Sequence, residues 1–539
     1  MRRRVRQLLA LASSALLIDL VLIQPNHPSA MSWQAFRLVP LELPVLLLGC
    51  LAIGRRAMPL AALTSLMLTF MIVLKLADFA VFSAFDRGFD PLADMHLLPA
   101  GVQLLSGTVG RTGIVFAGLL LLLLLASGAA LLFLALRLWA LTGSQLPQTP
   151  RVISGAVALM FVGLCVAEIR TALNGWTGWQ PPGSAFTSRL AAEHLRDFAR
   201  SHTALAAFQR AADNDHWQEN SALLSRLEGR DVVIVFVESY GRAAFDNPLY
   251  SARHRGTLSS GMAALETAGL VARSGWLRSP VIGGQSWLAH GTFATGLEVQ
   301  DQRRYNAMLA SPRQSLFSLA SKADYATAAF APAIVMPWPE GSALGFQSIY
   351  AAADLGYQGQ PFNWVTMPDQ YTLSVFDRIA PRGTPLMAEV ALISSHAPWT
   401  PVPKLIAWDQ IGDGRVFDAA AVTGPSPREV WADPDRIRDH YARALDYSLQ
   451  TVLSWAALPR AKAPLLVVLG DHQAAGFVSQ YGGKDVPIHL IGPPEAISLF
   501  DTWQWSPGLT PDAELAHWPM QAFRDRFLAA TSAATGDGS

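Results

Sequence analysis

Four short stretches of this 539-residue chain hold the side chains best suited to chemistry. The first is Glu238-Ser239-Tyr240-Gly241-Arg242 and the second Gly283-Gly284-Gln285-Ser286-Trp287-Leu288-Ala289-His290. Ser394-Ser395-His396-Ala397-Pro398 and Gly470-Asp471-His472-Gln473 complete the set. Glu238, Asp471 and His472 are hard-to-borderline oxygen and nitrogen donors, suited to one divalent cation such as manganese, zinc or magnesium. With the Ser286 hydroxyl as a fourth ligand, such a cation would lower the hydroxyl pKa and make an alkoxide nucleophile near neutral pH. Phosphorus is the natural target for in-line attack. Gly283 and Gly284 precede an expected helix start, where backbone amides and the helix dipole favour an anion such as phosphate. The cation, the amides and His396 would then stabilise the equatorial oxygens.

Each of these residues also has a plainer role. Glu238 could cap a helix, and Ser before a helix is a common N-cap, so Ser286 competes with that reading directly. Thr292 is the reserve hydroxyl. His396 could be a structural histidine beside Pro398. His290, four residues after Ser286, shares its helical face and would either reach the substrate or pack on the helix surface. Trp338 would be a buried aromatic or a substrate contact. Arg242 and His489 are read as structural.

Elements must bring these stretches together. Asp231 to Val237 is a continuous apolar, β-branched run, as in a strand buried on both faces. Ala388 to Ser394 and Pro464 to Leu469 are similar, and Val486 to Ile491 is a weaker fourth. Helical patterns fall between them at Leu258 to Ala268, Leu316 to Lys322 and Arg436 to Ala457. Strands alternating with helices predict an α/β domain with a mostly parallel central sheet covered on both faces. Ligands of such sheets collect beyond the carboxyl ends of the strands. Three of the four reactive stretches begin where an expected strand stops.

The N-terminal third is different. The whole chain is 51% hydrophobic and only 15% charged, against roughly 25% charged in an ordinary soluble domain. Gly113 to Leu136 and Met58 to Phe85, the latter interrupted by Lys75 and Asp78, reach the necessary length of about 20 apolar residues, and with the shorter Leu8 to Ile23, Leu38 to Ile53 and Val152 to Ala167, each extendable into its flanks, they predict five membrane spans. Arg2, Arg3, Arg4, Arg6, Arg55, Arg56, Arg137 and Arg151 mark the cytoplasmic side. The opposite side has Arg37, Arg87, Arg111 and Arg170, with Asp86, Asp90 and Asp94. This places the N-terminus in the cytoplasm and everything after the fifth span outside, in the periplasm or at the exterior. The start could instead be a cleaved signal peptide ending near Ala30, which removes one span and keeps the remaining topology.

Lys75 and Asp78, three apart in the third span, are expected to pair or to line a lipid headgroup path. Asn174 to Ser184, rich in Gly, Trp and Pro, is expected where the chain leaves the membrane, and Leu190 to Leu227 as a helical connector. The expected division is residues 1–173 membrane, 174–230 connector and 231–539 catalytic. With zero net charge, no basic excess points to a nucleic-acid partner. Cys50 and Cys165, both in apolar runs, offer no disulfide framework or thiolate zinc site. Arginine outnumbering lysine fits a GC-rich bacterial source.

The order of these motifs resembles the alkaline phosphatase and sulfatase superfamily: Glu at a strand end, a hydroxyl at a helix start, a His after the next strand, then Gly-Asp-His. With five spans ahead of an exported domain, the chain looks like the lipoteichoic acid synthase group of phosphoglycerol and phosphoethanolamine transferases. That resemblance implies Glu238, Ser286, Asp471 and His472 at the metal and nucleophile positions and His396 at the substrate phosphate. It implies a bacterial inner-membrane enzyme that takes a phosphorylated headgroup from a phospholipid and passes it to a glycan, lipid or polymer acceptor. The group has threonine where this chain has Ser286. Its glycerophosphate pocket has a histidine and a Trp-x-Arg where this chain reads Phe330-Ala331-Pro332 and Trp338-Pro339-Glu340. The Cys- or Ser-x-Pro-x-Arg of true sulfatases is absent from Ser286-Trp287-Leu288-Ala289-His290. The rival readings are a phosphodiesterase that uses water as acceptor and a scaffold or sensor without turnover.

Overall fold

The structure, a computed structural model, describes residues 2–33, 39–91, 94–95, 97–174 and 183–533. Arg37, Leu38 and most of the Gly-, Trp- and Pro-rich exit segment lie outside the described residues. The chain forms two compact units, residues 1–83 with 87–204, and 84–86 with 205–539.

Apolar helices dominate the first part: α1 (Arg2–Leu22), α2 (Glu42–Ile53), α3 (Met58–Phe85), α4 (Leu97–Gly143) and α5 (Gln148–Asn174). Four stretches among the described residues are long and apolar enough to cross a membrane, because α2 and α3 run on through the tight turn Gly54–Ala57. Its 12 residues give α2 a rise of about 18 Å, short of the roughly 30 Å hydrocarbon layer. The Arg151 guanidinium donates to the carbonyls of Ala52 and Ile53 at 3.1 Å each, satisfying the last turn of α2.

Lys75 and Asp78 are buried but form no pair with each other, which corrects the expectation from their spacing. Lys75 Nζ donates to the carbonyls of Val21 (3.2 Å) and Leu22 (2.8 Å), the unsatisfied end of α1, and to Thr187 Oγ1 (3.0 Å). Asp78 faces His194 Nε2 at 3.0 Å and accepts from the Phe89 amide at 2.9 Å. Free carbonyls at a helix end and an unpaired amide in apolar surroundings each need a partner, and those needs take both charges. The expected connector helix is α6 (Phe186–Ala212), shorter than Leu190 to Leu227 suggested. Glu42 Oε1 accepts from the amides of Thr187 (2.8 Å) and Ser188 (2.9 Å), an acid at the positive end of α6.

The second unit is built on one sheet. Among the described residues its strands are β1 (Val232–Val237), β2 (Val271–Arg278), β3 (Ala326–Ala331), β4 (Ser348–Ala351), β5 (Leu386–Leu392), β6 (Leu465–Gly470), β7 (Asp485–Gly492), β8 (Ser506–Pro507) and β9 (His517–Pro519). Their order is β4-β3-β5-β1-β6-β7-β2-β8, with β9 beside β2. From β4 to β6 every pairing is parallel, while β7 runs antiparallel to both β6 and β2. Val233, Val235 and Val237 enter one buried cluster and Val232, Ile234 and Phe236 the other. Period-two alternation in an all-apolar strand is what a sheet covered on both faces requires. Helices Pro248–Thr267, Asp369–Ile379 and Pro434–Ala456 pack on the first face, and Ser286–Thr295, Leu316–Lys322 and Ala522–Thr531 on the second.

Candidate metal and nucleophile site

Sheet order makes the site. β1 lies between β5 and β6, in register Val237 to Leu392 on one side and Val237 to Gly470 on the other. The residues that follow, Glu238 and Asp471, therefore emerge side by side from the carboxyl edge. Gly470 is dictated by this approach, since a Cβ there would stand 1.8 Å from the Tyr240 carbonyl oxygen. Ser239 turns left-handed (φ 58°) and its amide donates to Asp471 Oδ1 at 2.8 Å. Tyr441 OH fixes the same turn by donating to the Ser239 carbonyl at 2.9 Å, and Ser395 Oγ donates to the Glu238 carbonyl at 2.6 Å.

Ser286 reaches this edge through a tethered loop. Ser279 Oγ donates to the Asp471 carbonyl (2.6 Å) and the Gly283 amide to the Gln473 carbonyl (2.8 Å). Gly283 (φ 73°) and Gly284 (φ 147°) then turn the chain into helix Ser286–Thr295. The Gly283 amide is thus engaged within the protein, which removes it from the expected anion cradle. Gln285, in a left-handed conformation, occupies the N-cap, so Ser286 is the first helical residue and its hydroxyl is not the cap. That hydroxyl instead donates to Glu238 Oε2 at 3.1 Å and lies 3.2 Å from His472 Nε2. Thr292 is buried, and its Oγ1 donates to the Leu288 carbonyl at 2.7 Å.

Glu238, Asp471 and His472 are all buried, and one ligand atom of each lies within 4.8 Å of the other two. His472 Nε2 is 3.3 Å from Glu238 Oε1 and 3.6 Å from Asp471 Oδ2. His472 Nδ1 lies 3.0 Å from the Gln473 carbonyl, which makes Nδ1 the protonated nitrogen and turns Nε2 to the cluster. Burial penalises every charge here. It lowers the His472 pKa, but Asp471 and Glu238 outweigh it and lift the imidazole to about 9. Burial and then the Glu238 charge push the Asp471 carboxyl up to about 6. Glu238 is held well below the usual carboxylate range by His472 despite burial. Asp471 Oδ1 accepts from the amides of Ser239 and His472, while Oδ2 is buried with no hydrogen-bond donor. An orphaned carboxylate oxygen beside a second carboxylate and an imidazole fits one divalent cation.

The other expected residues are spread more widely. His396 is exposed beyond β5, with Nδ1 2.6 Å from the Ala397 carbonyl. His290 stacks on Phe236 at 3.8 Å and holds Glu389 Oε1 through Nδ1 at 2.8 Å. Burial lowers its pKa and Glu389 raises it further, leaving a net rise. Trp338 is half-buried against Phe346, in the packing of the second core face. Arg242 is held by Asp246 and by the Ala513 carbonyl. His489 is buried on β7 between Ser274 and Tyr240.

Three contributors escape a reading of motifs. Glu389 is a carboxylate inside an apolar strand, and that anomaly was its only signal. Asp369 Oδ1 accepts from the amides of Ile393 and Ser394 at 2.8 Å each, so it shapes the turn carrying His396. Tyr441 stands mid-helix with nothing local to mark it.

Residues 230–488 match the family model described as Sulfatase. Solved structures similar to the chain include the lipoteichoic acid synthase LtaP from Listeria monocytogenes, at 13% identity and TM-score 0.36, covering 57% of this chain and 73% of that one. The soluble domain of lipooligosaccharide phosphoethanolamine transferase A from Neisseria meningitidis has 13% identity and TM-score 0.37, covering 56% and 87%. The Streptococcus pyogenes phosphoglycerol transferase GacH in complex with sn-glycerol-1-phosphate has 13% identity and TM-score 0.35, covering 56% and 74%. No curated protein matches the chain.

Proposed function

We propose, for a chain that carries a sulfatase-family domain over residues 230–488, a metal-dependent transfer of phosphorylated lipid headgroups. One observation carries the reading: Ser286 Oγ, at the start of a helix, lies within hydrogen-bonding distance of both Glu238 and His472. Glu238, Asp471, His472 and Ser286 would hold one divalent cation, manganese in the first instance with zinc or magnesium as alternatives. Bound there, the cation supplies Lewis acidity and a lowered hydroxyl pKa.

The protein's own groups do the rest. Glu238 Oε2 is placed to accept the Ser286 proton. Ser286 Oγ attacks the phosphorus of a phospholipid, the bond from phosphorus to the diacylglycerol oxygen breaks, and that oxygen takes up, through solvent, the proton that Glu238 accepted. The headgroup phosphate stays on Ser286 as a diester. An acceptor hydroxyl of a glycan, lipid or polymer then attacks the same phosphorus, and Ser286 Oγ leaves with the acceptor's proton. His396 and the amides at the start of helix Ser286–Thr295 contact the phosphate oxygens, with His290 beside them. The apolar helices keep donor and site at one interface, raising the effective concentration of lipid. The arginine distribution puts the N-terminus in the cytoplasm and this domain in the periplasm or at the exterior.

The test is the intact mass of full-length protein after incubation with manganese and a mixed bacterial lipid extract. A headgroup adduct mapped to Ser286, absent in Ser286→Ala, is the expected result, and the added mass names the headgroup. Lipid consumption without an adduct, at a rate indifferent to acceptor, would replace the transferase with a hydrolase. Unchanged lipid and no adduct would sink both.

A further inference from the structure

The segments that follow β3, β4, β5 and β6 carry apolar side chains that nothing in this unit's core requires. Val335 is 72% exposed, Met336 74% and Trp364 51%, while Trp431 and Phe477 are 44% and 41% exposed. They belong to segments fastened to one another. Thr366 Oγ1 donates to the Pro332 carbonyl at 2.6 Å, tying the Trp364 turn to the Val335-Met336 segment after β3. Trp431 Nε1 donates to the Pro398 carbonyl at 3.3 Å. Its ring stacks on Trp399 at 5.7 Å and meets Phe477 edge-on at 6.1 Å. Asn363 Nδ2, beside Trp364, donates to the Thr400 carbonyl, beside Trp399, at 2.5 Å, and so joins the two groups into one apolar rim at the edge that presents Glu238, Asp471 and His396.

We propose that this rim is a lipid-docking surface, with Val335, Met336, Trp364, Trp431 and Phe477 entering the headgroup and acyl boundary of a bilayer. A linked apolar patch of this kind marks an interaction site in a folded domain. Its composition selects the occupant. Val335 and Met336 offer neither a ring face nor a polar atom to a sugar, whereas aliphatic tips flanked by tryptophans suit the boundary between hydrocarbon and headgroups. The same chain has four helices long and apolar enough to cross a membrane, which keep this unit within reach of one. The proposal rests on that membrane reading and is independent of what Ser286 does.

Met336→Cys in the full-length chain, labelled with an environment-sensitive fluorophore and reconstituted in nanodiscs of phosphatidylglycerol and phosphatidylethanolamine, gives the test. The two native cysteines are buried, and the unsubstituted chain serves as the labelling blank. Val335→Cys repeats the measurement, and Ala461→Cys, exposed just before β6, is the control. The probe at 336 or 335 should shift to shorter wavelength and lose most of its emission to nitroxide-bearing lipid but little to iodide, with the reverse at 461. Iodide quenching at 335 and 336 would show a water-facing rim, and its suppression by an added oligosaccharide would identify a glycan platform. Protection from both quenchers would mean that protein covers the rim. Each of those three results overturns the proposal. Fluorescence needs no turnover, so a failure of the Ser286 chemistry leaves this result readable.

Discussion

Ser286 Oγ lies 3.1 Å from Glu238 Oε2 across 48 positions of sequence, because the loop before Ser286 is pinned to the residues that follow β6. The hydroxyl is held by two of the three groups suited to bind a cation, so nucleophile and metal site stand or fall together. That coupling yields distinct expectations for each residue around it.

Asp471→Asn separates metal binding from folding. In the metal-free protein the carboxyl sits at about 6, raised by burial and by Glu238. A carboxyl raised above its unfolded value binds protons better when folded, so its contribution to stability declines as pH rises from about 4 through 6. At pH 7 without metal, Asp471→Asn is therefore expected to unfold no more easily than the parent. Manganese at about a hundred times its dissociation constant should stabilise the parent by about 2.7 kcal/mol and the variant by almost nothing. Thermal unfolding with manganese or with chelator reads both effects, and an equal manganese shift in the two proteins would remove Asp471 from the ligand set.

Glu389→Gln acts through His290. Burial alone would depress that imidazole, and Glu389 is what raises it. Removing the carboxylate should move the loss of the His290 proton to lower pH, carrying the alkaline limb of kcat/KM with it while Ser286 still forms its adduct. An unmoved pH profile would reduce His290 to a packing residue on Phe236.

His489 sets a stability limit in acid. Ser274 Oγ gives its one proton to the Gly508 carbonyl (2.6 Å), so His489 Nδ1 must donate to Ser274 (2.7 Å) and Nε2 must accept from Tyr240 OH (3.1 Å). This neutral ring is fully satisfied, and burial pulls its pKa down to about 3. A folded pKa below the unfolded value leaves stability intact above about 6.5 and erodes it as pH falls towards 3. Between pH 7 and pH 5 the loss should be about 2 kcal/mol. Urea unfolding in detergent should show that slope in the parent and a flatter one in His489→Gln, and parallel slopes would refute it.

Gly470→Ala should fail for steric reasons. The added methyl meets backbone, the Tyr240 carbonyl, which has nowhere to retreat in a register shared with β1. A cost of about 3 kcal/mol or more is expected, with loss of the manganese-induced thermal shift. A variant as stable as the parent would show that the β1 and β6 ends can part.

Runs of apolar, β-branched residues made β1, β5, β6 and β7 legible, with bounds within about two residues. β2 and β3 were not legible. β2 carries Arg273, Gly275 and Arg278, and β3 is mostly alanine, so neither has the local composition of a strand. Both are strands because neighbours in the sheet pair with them.

The sequence alone determined which donors stand at strand ends and helix starts, since period, β-branching and glycine placement are local properties of the chain. It also determined that long apolar helices precede the domain. Only the tertiary structure decided which groups meet: Lys75 with the end of α1 rather than with Asp78, His290 with Glu389, and Trp338 with the core. Those outcomes follow from β1 lying between β5 and β6 and from the need of every buried polar group for a partner, which depends on what lies across the fold rather than along the chain.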